Sequence, residues 1–303
     1  MFKRISKLLF VAVLIVGFGM TRIGQAASGE EEVINEKFGP PIVVYGGNLT
    51  AEQKEEVQRI LEINGDNNIK EITVTGTDAA TYIDGDANSR MFSSAKITRK
   101  DKSEGLVINQ VTPENITEVT NEMYKNALLT AGIEGAQVDV VSPVKVTGHS
   151  ALTGIYKAYE ASGGEELNKD RLEVANEELN VVTDLAKKEG LDKEKASELI
   201  TAIKSEMADQ QPVTKEEVQK IVEEELKAFN IELSPEDRQL LIDLFDKMRE
   251  LDIDFNKVKT QLEDLSSDIK KKIEEVAGDE GFWQGILDFI NGVIEGISNI
   301  FKK

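Results

Sequence analysis

NITEVTNEMYKNALLTAGIEGAQVDVVSPVKVTGHSALTGIYKAYE, residues 115–160, reads as helix, strand, helix, and it decides the fold. Val119, Met123, Ala127 and Leu128 recur at helical spacing and give one apolar face. Gly132 stands where a helix C-terminus turns left-handed. Val138, Val140 and Val144 alternate loosely with polar residues, the pattern of a half-buried strand ending near Pro143. A second helix opens between Thr147 and Leu152 and carries Ile155, Tyr156 and Tyr159. Strand and helix signals alternate before this stretch, and helix signals alone follow it. It is the join between two architectures.

Upstream, residues 42–45 read as a strand followed by Gly46 and Gly47. Asn48 or Thr50 then caps a helix whose core face is Val57, Ile60 and Leu61 and whose stop is Gly65. Ile72 and Val74 point inward from a strand over residues 69–75, and residues 77–83 form a short helix or turn. Residues 91–100 and 105–111 flank the polar turn Lys100-Asp101-Lys102-Ser103-Glu104 and are expected to pair as a hairpin. The expectation for residues 37–147 is an α/β sandwich of about four or five strands.

Residues 148–276 are expected to form a helical bundle. Leu172, Ala175, Leu179, Val182 and Ala186 make one helical face. Asp192 caps the next helix, with Ala196, Leu199, Ile200, Ile203 and Met207 inward. Thr214 to Glu217 spells a capping box before Val218, Ile221, Val222 and Leu226. Ser234-Pro235 starts a helix with proline where its missing N–H costs nothing, and Leu240, Leu241, Leu244, Phe245 and Met248 face the core. Phe255, Val258, Leu262, Leu265 and Ile269 step by three and four along a last long helix, docked on the bundle or on another chain. The fold class is therefore α+β.

Two motifs in the central stretch carry a family likeness: TNEMYKNALLTAG (Thr120 to Gly132) and GHSALTGIYKAYE (Gly148 to Glu160). GGNLT (Gly46 to Thr50), ITVT (Ile72 to Thr75), SSA (Ser93 to Ala95) and ANEEL (Ala175 to Leu179) match in the same order. With these the chain resembles the YpuA-like family of secreted Gram-positive proteins, a family of unknown function, over roughly residues 37–265. The resemblance implies an extracytoplasmic location, and it brings no catalytic residue with it.

The N-terminus has the layout of a secretory signal over residues 1–26. Lys3, Arg4 and Lys7 are its basic region, an apolar run follows, and Gly24-Gln25-Ala26 offers small residues for cleavage. The apolar run is shorter than the roughly 20 residues of a spanning helix. Residues 27–36 are acidic and read as a flexible leader. The expected destination is the exterior or the cell envelope. Cysteine is absent, which removes disulfides, thiolate metal sites and cysteine nucleophiles. The formal charge of −20 repels nucleic acid.

Chemistry-bearing constellations are sparse. Asp84, Asp86 and Asn88 place oxygens at alternate positions, as a calcium loop begins. Ser89 then stands where an EF-hand needs glycine and Ala95 where it needs glutamate, so a polar turn is the simpler reading. His149 is the single histidine; it is expected to be exposed at a helix start, with no nucleophile elbow nearby. Tyr124, Tyr156 and Tyr159 either line a groove or edge the core. No cofactor is implied.

The most suggestive segment is residues 282–303, an expected amphipathic helix. Phe282, Trp283, Ile286, Leu287, Ile290, Ile294, Ile297 and Phe301 share one face, and Asp288, Asn291, Glu295, Ser298 and Asn299 the other. Such a helix suits a membrane interface or a partner protein. The reading is a secreted, non-catalytic envelope or extracellular binding protein. Its alternatives are an extracytoplasmic hydrolase using paired carboxylates on envelope glycans and a calcium-dependent structural protein.

Overall fold

A computed structural model describes residues 37–63, 68–163, 166–188 and 191–277, with side chains as far as residue 272. Gly65, the expected helix stop, and residues 282–303 lie outside these.

The strands are β1 (Ile42–Gly46), β2 (Lys70–Val74), β3 (Ser94–Arg99), β4 (Leu106–Gln110) and β5 (Ala136–Val141). They form one sheet in the order β2-β1-β3-β5-β4. Only β3 runs against the other four. Between them lie the helices α1 (Ala51–Ile60), α2 (Gly76–Ile83) and α3 (Asn121–Ala131), and α4 (Ser150–Ala161) follows β5. On one face of the sheet, α1 buries Val57 and Leu61 against Val43, Tyr45 and Val141. The other face carries α4 over β1 to β3 and α3 over β4. This arrangement is the expected sandwich.

The expected hairpin is not formed. β5 lies between β3 and β4, antiparallel to one and parallel to the other. The turn after β3 does form, as a 3-10 turn over Lys102–Glu104, but it steps across the chain entering β5. Lys100 donates its N–H to the Gly135 carbonyl at 3.1 Å. A Cβ on Gly135 would sit 2.7 Å from the Lys100 carbonyl oxygen. Glycine lets the two backbones cross there, and the crossing delivers β4 to the far side of β5. Strand β3 also begins later than Met91, because Met91 and Asn48 exchange hydrogen bonds of 2.8 and 3.0 Å instead of joining the ladder. With neighbours on both sides β5 is more enclosed than a half-buried strand: Val138, Val140 and Val141 have no exposed surface.

The helical part comprises α5 (Lys169–Leu185), α6 (Lys193–Gln210), α7 (Lys215–Ala228), α8 (Pro235–Glu250) and α9 (Lys259–Ala277). The starts of α6, α7 and α8 follow the sequence signals. Asn168, Asp192, Thr214 and Ser234 each accept a hydrogen bond from a first-turn amide, and Thr214 and Glu217 complete the capping box. Helix α9 docks on α6, burying Leu262, Leu265 and Ile269. Leu240 is an exception to the expected core face: it is half exposed, because Leu241, Leu244, Phe245 and Met248 define a stripe that leaves it on the shoulder of α8.

One apolar core runs through both architectures, from Ile42 in β1 to Ile269 in α9. Helix α4 is the bridge. Gly154 lets it approach β1 so closely that an added Cβ would lie 3.2 Å from Val44 Cγ1. Tyr124, Tyr156 and Tyr159 are all buried, so they belong to this core and do not line a groove.

Candidate functional site

Several of the stretches that carry the family likeness meet at the carboxyl ends of the parallel strands, where open α/β sheets usually place ligands. Gly46 donates its N–H to Ser94 Oγ at 3.2 Å. A Cβ at Gly46 would lie 2.5 Å from the Met91 carbonyl oxygen, so only glycine fits. Ser150, at the start of α4, reaches Ser93 Oγ at the long distance of 3.5 Å. Tyr124 Oη donates to the Gly148 carbonyl at 2.6 Å, tying α3 to the entrance of α4. These residues use their polar atoms on one another. The shared motifs read as fasteners between strand ends and helix starts.

His149 begins α4 as expected, but it is part-buried against α5, not exposed. Its Nε2 lies 3.1 Å from Thr183 Oγ1, and its Nδ1 lies 3.3 Å from Thr147 Oγ1. The Thr183 hydroxyl donates to the Leu179 carbonyl at 2.9 Å. Its oxygen is therefore left to accept, which assigns the ring proton to Nε2. A hydroxyl that gives its proton to a backbone carbonyl is not a nucleophile activated by the ring. Burial pulls the His149 pKa down; Glu118 opposes that, Lys187 adds to it and Asp184 opposes it.

Asp84, Asp86 and Asn88 form a turn. Asp84 takes the left-handed conformation at the C-terminus of α2. Asp86 Oδ1 accepts from the Asn88 backbone N–H at 2.8 Å and from its side-chain amide at 3.0 Å. Two of the three candidate ligands are thus bonded to each other. Among the described residues no group of three or more His, Asp or Glu side chains is arranged to hold a metal ion.

The deepest polar chemistry lies where α3, α5 and α6 meet, and the sequence reading missed it. Lys204 is fully buried and Glu178 is 1% exposed. Lys204 Nζ donates to Glu178 Oε1 at 2.6 Å, to the Asn126 carbonyl at 2.8 Å and to Asn126 Oδ1 at 3.3 Å. Thr130 donates to the other Glu178 oxygen at 2.6 Å. Asn126 Nδ2 donates to Thr201, which in turn donates to the Ser197 carbonyl. Every ammonium proton and both carboxylate oxygens have partners, the condition for tolerating a buried ion pair. A signal existed: Glu178 lies three residues from Ala175 and Lys204 four from Ile200, so both fall on core faces.

A second cluster sits between α6, α7 and α9. Glu198 is 1% exposed; its Oε1 accepts from Ser266 Oγ and lies 3.6 Å from Lys270 Nζ. Its Oε2 has no hydrogen-bond partner. Glu225 on α7 is 9% exposed. Burial raises the Glu198 carboxyl to about 7 against the pull of Ser266 and Lys270. Burial, then the like charges of Glu206, Glu198 and Glu224, raise Glu225 to about 7. Proton-holding carboxylates are what a general acid needs, but this pair is too enclosed to meet a glycan.

An open groove of about 310 Å³ lies between the edge strand β4 and α9, lined by Leu106, Val107, Lys125, Gln261, Asp264 and Asp268 among others. Gln261 accepts the Leu106 N–H at 2.8 Å and Asn121 accepts the Gln110 N–H at 2.9 Å. Side chains from α9 and α3 thereby close both ends of the edge to another strand. The candidate contact residues Phe282, Trp283, Ile286, Leu287, Ile290, Ile294, Ile297 and Phe301 lie outside the described residues, and no described helix is long and apolar enough to cross a membrane.

Comparison with known proteins agrees with the motif reading. Residues 45–265 match the family described as "Protein of unknown function (DUF1002)". The chain is 35% identical to "Uncharacterized protein YpuA" of Bacillus subtilis (strain 168), over 97% of this chain and 98% of that protein. No solved structure matches. This chain belongs to the DUF1002 family of proteins of unknown function.

Proposed function

We propose that this protein is a secreted, non-catalytic binding protein of the cell envelope or exterior, and that residues 282–303 are its contact with a membrane surface. The signal-like residues 1–26 supply the address. The observation that carries the reading is the segregation in the final segment: large apolar residues recur from Phe282 to Phe301 on one helical face, with polar residues opposite. The described fold is consistent with such an appendage. Helix α9 already has its apolar stripe, Leu262, Leu265 and Ile269, buried on α6. The described titratable groups that hold unusual protonation are enclosed, so their chemistry serves the fold more readily than a substrate.

The test is vesicle flotation of the mature chain beside a variant lacking residues 282–303. The reading expects the full chain to float and the truncated one to remain in solution. Equal partitioning of the two removes the membrane role. Loss of binding to an envelope protein, with no lipid effect, would reassign the segment to a protein partner.

A further inference from the structure

We propose that the open groove between β4, α3 and α9 binds a small zwitterion, an amino acid or short peptide with both a free carboxylate and a free ammonium. Lys125 holds the carboxylate, and Asp264 and Asp268 hold the ammonium. Three elements build the groove: α3 brings Lys125, β4 brings Leu106 and Val107, and α9 brings Asp264, Ser267 and Asp268. Its volume of about 310 Å³ suits a ligand of that size. Helix α9 is fixed in place by Leu262, Leu265 and Ile269, buried on α6, so the two sides of the groove are held apart by packing.

The charges facing this groove are not used up by the fold. Lys125 is part-buried, and its ammonium has no hydrogen-bond acceptor among the described residues. Asp268, Asp264 and Glu122 act on it electrostatically, but none reaches ion-pair distance. Glu122 is bonded to Lys272 instead. Asp264 and Ser267 also have no hydrogen bond or ion pair among the described residues, and Asp268 has a long contact of 3.4 Å with Lys271. A part-buried ammonium wants acceptors. Asp264 and Asp268, one helical turn apart, offer acceptors to a second cation.

A ligand with one charge of each sign supplies what both walls lack. A plain anion on Lys125 would face the two aspartates, and a plain cation on the aspartates would face Lys125. An extended strand is not the occupant. Gln261 spends its whole amide here, accepting the Leu106 N–H at 2.8 Å and donating to the Glu134 carbonyl at 3.0 Å, so the β4 backbone is closed to strand addition at that point. Asp264 and Asp268 are exposed, so water screens their pull and the dissociation constant should be about 1 mM. The site lies within the described fold and does not rest on residues 282–303, so its failure would leave the membrane contact standing.

The experiment follows amide shifts of the 15N-labelled full chain by NMR as glycylglycine is added. N-acetylglycylglycine, which lacks the ammonium, and glycylglycinamide, which lacks the carboxylate, are the matched controls. The expected result is saturable shifts at Leu106, Lys125 and Asp264 with glycylglycine and much weaker binding of both controls. K125M should weaken glycylglycine roughly tenfold. Should K125M fold poorly, D264N/D268N, at exposed positions, should still weaken it roughly fivefold. No saturable shift by about 10 mM glycylglycine overturns the proposal. So does equal binding of either control, or unchanged affinity in folded K125M or D264N/D268N.

Discussion

Replacing Lys204 with methionine should destabilise the protein by about 3–5 kcal/mol, the range for removing one partner of a buried ion pair. Methionine keeps the length and apolar stem of lysine but leaves the Glu178 carboxylate, 1% exposed, with the Thr130 hydroxyl as its one donor among the described residues. It also strips the Asn126 carbonyl and Oδ1 of their bonds to the ammonium. Coulomb attraction at the observed 2.6 Å is roughly 6 kcal/mol at an effective dielectric constant of 20. Desolvation of both ions offsets much of it, so the pair's net worth is far smaller than the cost of breaking it.

The double variant K204M/E178L separates these terms. With both charges gone, the penalty should fall to within about 2 kcal/mol of wild type, even though Thr130 and Asn126 lose partners. The assay is urea unfolding with circular dichroism and a common slope. Because the network joins α3, which packs on the sheet, to α5 and α6, the K204M loss should appear in one shared transition. A K204M effect under 1 kcal/mol would refute the reasoning. A double variant as unstable as the sum of the singles would refute it too, since the charges would then not be coupled.

Three further outcomes are expected. His149 is the sole histidine, so its ring protons titrate in isolation by NMR; the midpoint should lie below the ordinary value of about 6.5. Because that pKa is lowered on folding, the His149 contribution is full above about pH 6.5 and is lost as pH falls; a midpoint at or above 6.5 contradicts its burial. Gly46→Ala should cost about 1–3 kcal/mol, since its Cβ would lie 2.5 Å from the Met91 carbonyl oxygen; a neutral result in thermal melts would mean that the strand ends are loosely held. In α8, Leu240→Ala should change stability by less than about 1 kcal/mol, whereas Leu244→Ala should cost about 2–5 kcal/mol, a contrast set by half-exposed against fully buried positions.

Local signals in the sequence were faithful guides to local structure. Thr50, Asp192, Thr214 and Ser234 cap the helices they precede, because a hydroxyl or carboxylate two or three residues ahead of an orphan amide needs no tertiary information to bond it. Gly132 takes φ 93°, as its place after an apolar face suggested. The strand pairing was not legible, since the turn over residues 100–104 is good local chemistry for a hairpin. The decision to pass over Gly135 depends on a strand that comes about thirty residues later. Lys204 and Glu178 were hidden for a different reason. A charged residue on a core face looks like an error until its partner on another helix is known. Glu198 shares that difficulty: its partners Ser266 and Lys270 come from α9, whose docking a sequence pattern does not orient.

The proposed membrane contact is tested most directly by Trp283, the sole tryptophan, which lies in the segment at issue. Its emission should be recorded as vesicles are added, neutral and anionic in parallel. The account predicts a blue shift and an intensity change with lipid, as the indole enters the interface. Emission that is already blue in buffer and unmoved by either lipid would contradict it.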